Sequence, residues 1–387
     1  MKYKLCDLVV SANTGADAIK RAPILQEKTN LRCLRIGDVS QGREYEQWGF
    51  TKTSPEDYQR YKLHDGDILV ARTGNTIGVN KYIEGNPEAV YNNGLIKIEA
   101  DGRKIMPKYL YYIVRSKECQ DYIQAIAYGT STQPNMKIKD FLNFECDLLD
   151  IDAQKNIVNI VNAIERKIEL NQKINRNLFL QAQTLYKSRF VDLLPFDGTM
   201  PSNWRLGTVA EIIELHDSRR IPLSSRERAD LDKIYPYYGA TSIMDYVDRY
   251  LFDGIYLLLG EDGTVVDDSG YPILQYVEGR FWVNNHAHIL TGKNGFTVEL
   301  LYLLFSLTNV KSIVTGAVQQ KISQANLNKI EVVLPSPEEL LDFDCSIQPV
   351  FSQIRNLRKE SDNLVKLRDT LLPKLMSGVI DVSDLNL

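Results

Sequence analysis

The sequence predicts an α/β protein of the mixed, α+β kind: two similar α/β domains separated by two long coiled-coil helices, with the halves related as a pseudo-twofold repeat. Three observations predict it. A set of motifs recurs in the same order at a period of about 186 residues. Two glycine-free runs carry apolar residues at alternating spacings of three and four, the seam of a coiled coil. The stretches between them are short β-rich runs punctuated by Gly, Asn and Asp.

The elements follow in order. The first domain spans residues 1–150. It holds two β-rich runs, DILVAR and GLIKIEA, and an amphipathic helix over Pro107 to Tyr128. A long central helix occupies 151–192. The Pro- and Gly-bearing stretch LLPFDGTMPSNW (Leu193 to Trp204) leads into a second domain, 193–336. That domain repeats the pattern with IYLLLG, AHILTG and a helix over Val298 to Val314. A second long helix fills 337–387. The repeat is visible residue by residue. DGDILVARTGNTIG answers to DGIYLLLGEDGTVV, VYNNGLIKI to WVNNHAHIL, and KYLYYIV to ELLYLLF. A glycine and a Gln-bearing polar loop then follow in both halves.

The helical runs share one phase. The first seam is Val161, Ile164, Ile168, Asn171, Asn175, Leu178, Ala182, Leu185 and Arg189. The second is Ile347, Val350, Ile354, Leu357, Ser361, Leu364, Arg368, Leu371 and Leu375. Polar seam residues weaken a coiled coil but fix its register. Pro349 is placed near the start of the second run, where proline is tolerated. Pro373 is placed near its end, where it should break or bend the helix. At 1.5 Å per residue, a helix of about 36 residues is roughly 54 Å long.

Composition narrows the function. Lys plus Arg is 46 and Asp plus Glu is 50, a net charge of −4, so nucleic-acid binding requires basic residues grouped on one face or a partner that supplies charge. The five cysteines, Cys6, Cys33, Cys119, Cys146 and Cys345, are widely spaced and read as reduced thiols of a cytoplasmic protein. The N-terminus has no signal-peptide pattern, and no apolar run reaches the ~18 residues of a membrane span.

Two similar domains alternating with two long helices resemble the specificity subunit of type I restriction-modification systems. The stretches PYYGATSIMDYVDRYLFDG, LLLGEDGTV, NNHAHIL and LRDTLLPKLMSGVI carry the resemblance, which covers nearly the whole chain. It implies two target recognition domains, each reading half of a bipartite double-stranded DNA site. It implies antiparallel helices that act as a ruler and dock methyltransferase subunits, with restriction subunits joining and S-adenosylmethionine bound by the methyltransferase partner, not by this chain. A ruler of roughly 54 Å spans about 16 base pairs. The first half lacks the Trp-bearing lead PSNWRLGTVAEI of the second, so its start is expected to pack differently. Exposed helix faces make self-dimerisation of the isolated chain an expected liability.

Base edges are read by forked donors and acceptors, and phosphates by Lys, Arg, Ser and Thr. In the first domain the candidates are Arg72, Thr73, Asn75 and Lys81, then Ser131, Thr132, Gln133, Asn135 and Lys137. In the second they are Arg219, Arg220, Ser225, Arg226 and Arg228, then Gln319, Gln320 and Lys321. Each has a structural alternative: an internal partner for Arg72, a shared turn for the Gln loops, a solvated loop for the arginines. Asn92, Asn93, Asn284 and Asn285 fall at one place in both repeats and read as turn-formers. Catalytic motifs are lacking: no nucleotide-binding Gly-Lys-Ser/Thr loop, zinc-protease helix or methyltransferase signature is found. His286 and His288 share a strand face without supporting carboxylate spacing, so they read as core and no metal site is expected. The alternative function is a non-catalytic scaffold with two ligand-binding domains and no nucleic acid.

Overall fold

The computed structural model describes residues 2–128, 134–316 and 319–382. It divides into two compact units. One comprises Met1–Lys167 with Asn363–Leu387, the other Ile168–Asp362.

In the first unit, Ile68–Ala71 is buried along its whole length because its alternate residues feed two cores. Ile68 and Val70 pack with Tyr109, Leu110 and Ile113, while Leu69 and Ala71 pack with Leu34, Val90 and Tyr91. A strand covered on both faces needs such a continuous apolar run. It lies inside a four-stranded antiparallel sheet in the order Val9–Thr14, Leu95–Ala100, Ile68–Ala71, Asn80–Tyr82. A second sheet orders Ile24–Leu25, Gly49–Thr51, Arg32–Leu34 and Ala89–Tyr91, its last pair parallel. The helix expected over Pro107 to Tyr128 is two helices, Pro107–Arg115 and Lys117–Tyr128. Ser116 between them is extended, and its hydroxyl accepts from the Cys119 N–H at 3.2 Å, an N-cap that opens the second helix.

The second unit repeats this plan. Its six-stranded sheet runs Ile213–Leu215, Ala287–Gly292, Phe252–Gly260, Leu274–Val283, Tyr235–Tyr238, Ile243–Val247. Phe252–Gly260 pairs antiparallel with Ala287–Gly292 as Ile68–Ala71 pairs with Leu95–Ala100. Tyr235–Tyr238 runs parallel to the end of Leu274–Val283 as Arg32–Leu34 does to Ala89–Tyr91. Leu257 and Leu259 face one core and Leu258 the other. The helix expected over Val298 to Val314 stops at Leu307. Thr308 is extended, and a short 3-10 turn, Lys311–Ile313, follows.

The expected difference at the start of the first half is not observed. Lys2–Lys4 pairs with Glu145–Asp147 as Arg205–Thr208 pairs with Glu331–Leu334. Each lead strand then closes the same capping box: Asp7 accepts from the Lys4 N–H, and Glu211 from the Thr208 N–H, both at 3.0 Å. Backbone pairing sets this start, so the tryptophan is dispensable to it. Trp204 instead packs on Phe190 and Phe196, fixing the linker into the second unit.

The central helix is Ile151–Tyr186, extended by a wide turn over Lys187–Val191. The C-terminal helix is Pro337–Met376, 40 residues. In the second unit the two run antiparallel. Arg189 meets Glu339 and Asp342 and Tyr186 meets Phe343, while at the far end Asn171 donates to Glu360 at 2.8 Å and to Ser361 at 3.4 Å. In the first unit, Ile157 and Val161 share a core with Leu375, and Leu371 packs against it. Ile164, Ile168, Ala182, Ile347, Ile354 and Leu357 are buried, with Leu178, Val350 and Leu364 half-buried. Asn171 is fully buried with its Oδ1 unpartnered among the described residues, a seam residue kept at a desolvation cost.

Two expectations about these helices are corrected. Leu185 is 53% exposed, off the seam, because the buried positions step by four from Ala182 to Tyr186 and again to Phe190. Pro349 lies in the helix interior, because the helix begins at Pro337, twelve residues earlier, capped by the Ser336 hydroxyl on the Glu339 N–H. Pro373 falls in the last turn, and the helix ends three residues on. Among the described residues no helix is long and apolar enough to cross a membrane.

Candidate nucleic-acid interface

In the first unit the chain leaves strand Ile68–Ala71 through Arg72 and Thr73. The Arg72 N–H donates to the Gly94 carbonyl at 2.9 Å, and the Arg72 carbonyl accepts from Met136 at 2.8 Å. Thr73 then bridges to Asn135. This brings Arg72, Thr73 and Asn135 to one edge, with exposed Asn75 and Lys137 a residue or two along the chain. Gly74 turns the loop at φ +81°, a conformation that glycine adopts without strain. The Arg72 guanidinium donates to the Asn135 amide oxygen at 3.1 Å, not to an acid, and its buried Nε has no partner among the described residues. Among the described residues no carboxylate pairs with its charge. Lys81 lies apart, over the Trp48 ring at 5.9 Å. Ser131, Thr132 and Gln133 lie outside the described residues.

The second unit builds the same edge from different side chains. The Glu261 N–H donates to the His286 carbonyl and the Glu261 carbonyl accepts from Ile322, both at 2.8 Å. Asp262 and Gly263 pair with Lys321 and Gln320. Gln319, Gln320 and Lys321 are exposed at the tip of a turn whose Gly316 sits at φ +89°. Lys321 Nζ lies 3.3 Å from Glu261, and the His286 ring is bonded to Asp262.

Behind this edge is a buried polar network. Asp217 Oδ2 meets His288 Nδ1 at 2.6 Å and accepts from Gln324 at 2.6 Å. Its Oδ1 accepts from the Ile289 N–H at 2.9 Å. His288 Nε2 donates to the Ile322 carbonyl at 2.8 Å, pinning the Gln loop to the sheet. Burial pushes the Asp217 carboxyl up. The His288 contact and the donated hydrogen bonds more than offset this and hold it below the ordinary carboxylate value. Asp217, Glu261 and His288 each bring one ligand-type atom within 4.8 Å of the others, as a metal site would. The cation's place is taken by Arg220, which donates to Glu261 at 2.5 Å and lies 3.5 Å from Asp217.

The arginine cluster thus splits. Arg220 is spent internally, and buried Arg228 pairs with Asp245 at 3.2 Å and covers Tyr237. Arg219 donates to the Leu251 carbonyl and lies 4.6 Å over Phe252, yet stays exposed. Ser225 and Arg226 are exposed on the short helix Ser225–Ala229. Asn92 and Asn284 each open a turn: the Asn92 carbonyl accepts from the Leu95 N–H at 3.0 Å and the Asn284 side chain from the His286 N–H at 2.8 Å, while their own N–H groups donate across to the Leu34 and Tyr238 carbonyls at 3.1 and 3.0 Å. Sequence reasoning missed Glu261 and Asp262 as edge residues and placed His286 in the core, where the structure leaves its side chain 42% exposed.

Comparison with known proteins gives one consistent result. A family model described as "Type I restriction modification DNA specificity domain" matches residues 1–179 and 201–363. The chain is 25% identical over 318 residues to the type I restriction enzyme MjaIX specificity subunit of Methanocaldococcus jannaschii, covering 73% of this chain and 72% of that one. It is 22% identical to the type I restriction enzyme HindI specificity subunit of Haemophilus influenzae, over 82% of this chain and 87% of the relative. In fold it is similar to the crystal structure of a type I restriction-modification S subunit from M. genitalium. That match has a TM-score of 0.54 and 18% identity, and covers 97% of this chain and 95% of that one.

Proposed function

The chain belongs to the type I restriction modification DNA specificity family, and from that premise we propose how its parts divide the work of recognition. Each α/β unit reads one half of a bipartite double-stranded DNA site. The two long helices set the spacing between the halves and dock methyltransferase subunits, which restriction subunits join. The chain supplies recognition and no chemistry. S-adenosylmethionine belongs to the methyltransferase partner.

One observation carries this reading. The strand-end edge and the loop that bridges to it recur in both units with the same backbone hydrogen bonds but different side chains. A repeated frame with unlike polar groups is what two domains reading two different sequences require, because base edges are distinguished by donor and acceptor pattern. Phosphate contacts from the exposed Lys137, Arg219 and Arg226 would hold the duplex without reading it. The net charge of −4 places the affinity in such local contacts and in the partners, so binding by the complex falls steeply with salt.

The test is to co-express the chain with a type I methyltransferase subunit that assembles with it and map methylated positions genome-wide by single-molecule sequencing. The expected result is a bipartite motif in which exchanging residues 1–150 for those of a relative alters one half alone. A continuous motif, or one whose halves change together, refutes the division of labour.

A further inference from the structure

We propose that base identity in each half-site is set on one frame of four repeat-equivalent positions, Arg72/Glu261, Thr73/Asp262, Gly94/His286 and Asn135/Lys321, with Arg72, Thr73 and Asn135 reading in the first unit and Asp262, His286 and Lys321 in the second. The inference rests on the DNA-reading function proposed above and assigns that reading to particular side chains.

The equivalence comes from hydrogen bonding alone. Val70 lies opposite Ile96, and Leu259 opposite His288. Two residues on, Arg72 and Glu261 make matching bonds. Each donates its N–H to the residue at the start of the neighbouring strand, Gly94 or His286. Each accepts through its carbonyl from Met136 or Ile322. Thr73 then bridges Asn135 as Asp262 pairs with Lys321. Glycine follows in both, Gly74 and Gly263, at φ +81° and +90°.

The frame keeps its chemistry across the repeat. Met136 and Ile322 are both fully buried, as are Ile98 and Leu290, and the Asn92 and Asn284 N–H groups make the same cross-strand bond, to Leu34 and Tyr238. At the edge itself the chemistry switches. A guanidinium stands where the second unit has a carboxylate, Thr73 gives way to Asp262, the Asn135 amide to the Lys321 ammonium, and bare Gly94 to the His286 imidazole. The carboxylate of Glu261 is held by its buried pair with Arg220, but the backbone bonds, the same on both sides, do not demand the switches at Thr73, Gly94 and Asn135. Fold maintenance leaves such positions free, and recognition of unlike sequences makes them differ.

The groups at the edge also fit base edges, with Asn135 and Lys321 exposed and Arg72 and Asp262 half-buried. The first edge is rich in donors: Arg72 matches the two acceptors of guanine, and the Asn135 fork matches adenine. The second edge offers the Asp262 carboxylate as an acceptor for the amino group of cytosine or adenine, with Lys321 as a neighbouring donor for guanine. Glu261, tied to Arg220 and Lys321, is a positioning residue that aims the lysine. Asp262→Asn keeps a partner for His286 while replacing a pure acceptor by a mixed donor and acceptor.

The experiment compares methylated motifs written by the complex carrying the wild-type chain, Asp262→Asn or Arg72→Gln. Each variant is expected to relax or change one or two base positions in one half of the motif by about 10-fold or more in relative methylation. The two variants should act on opposite halves. Unchanged motifs in both variants overturn the assignment while leaving the bipartite function intact. Loss of methylation at all sites by both, with lowered melting temperatures, assigns these residues to the frame and also overturns it. A wild-type motif that is not bipartite fails the underlying function instead, and the two failures are distinguishable in the one data set.

Discussion

Replacing Arg220 by methionine separates a residue that reads DNA from one that holds the reader. The Arg220 side chain is 14% exposed and sits between Glu261, at 13%, and Asp217, at 5%. It donates to Glu261 Oε2 at 2.5 Å, to the Ala287 carbonyl at 2.8 Å and to the Asp217 carbonyl at 3.1 Å. Methionine fills much of the volume but returns none of these bonds, and it leaves two buried carboxylates facing one fewer cation. Breaking a buried pair by removing one partner costs about 3–5 kcal/mol. The unit concerned, Ile168–Asp362, has about 195 residues. At that size 1 kcal/mol moves the melting temperature by roughly 2–4 °C. Arg220→Met is therefore expected to lower the transition of this unit by about 6–20 °C, followed by far-UV circular dichroism on the full chain. The reasoning is refuted if melting stays within about 1 °C of wild type while methylation at one half-site collapses. That pattern would return Arg220 to the DNA-contacting surface where its charge alone first places it.

Two further outcomes are expected. Pro349 lies on the exposed side of the C-terminal helix and denies the Cys345 carbonyl its helical donor. A helix-interior proline costs about 3 kcal/mol relative to alanine, part of which the solvated face already recovers. Pro349→Ala should raise the melting temperature by a few degrees, and a drop in a thermal scan would mean that the proline at this position is needed for packing. Asp217 titrates below its ordinary value in the folded chain, so the stability it supplies is present above the unfolded-state value of about 3.9 and is lost as pH falls through the lower folded-state value. In melting temperatures taken from pH 7 down to pH 2.5, Asp217→Asn should be less stable than wild type at neutrality and should lose less on acidification. Parallel curves for the two proteins would refute the linkage.

The long helices were legible in the sequence because their signal is periodic and local. Val161, Ile164 and Ile168 repeat at helical spacing whatever else the chain does, and no glycine interrupts them. The strand Ile68–Ala71 and the end of Phe252–Gly260, from Leu257 on, were legible for a related reason: both are buried on two faces, so both read as continuous apolar runs. What stayed hidden is short or set by partners. Ile24–Leu25, Arg32–Leu34 and Gly49–Thr51 are two or three residues long, too short to display a period. The step that carries the seam from Ala182 to Tyr186 and Phe190 is fixed by Phe343 and Trp204, which come from elsewhere in the chain. Leu185 therefore read as seam on spacing alone.

Part of the candidate site was not legible in the sequence, for two physical reasons. Residue type states what a side chain can bond, not what it has already bonded. Arg220 is consumed by Glu261, 41 positions away, through a strand register that no local pattern displays. The second reason is phase. Anchoring the repeat on its shared Asp-Gly pair sets Arg72 against Gly260, whereas the hydrogen-bonded frame sets it against Glu261. In a strand a shift of one residue turns every side chain to the opposite face. With the phase corrected, Thr73-Gly74 falls on Asp262-Gly263, and the carboxylate emerges as the counterpart of a candidate DNA contact. A search for cations and amides alone passes over it, although cytosine presents only a donor in the major groove and an acidic side chain is its natural reader. The same backbone frame can then serve two half-sites of opposite polarity, one met by donors and one by an acceptor.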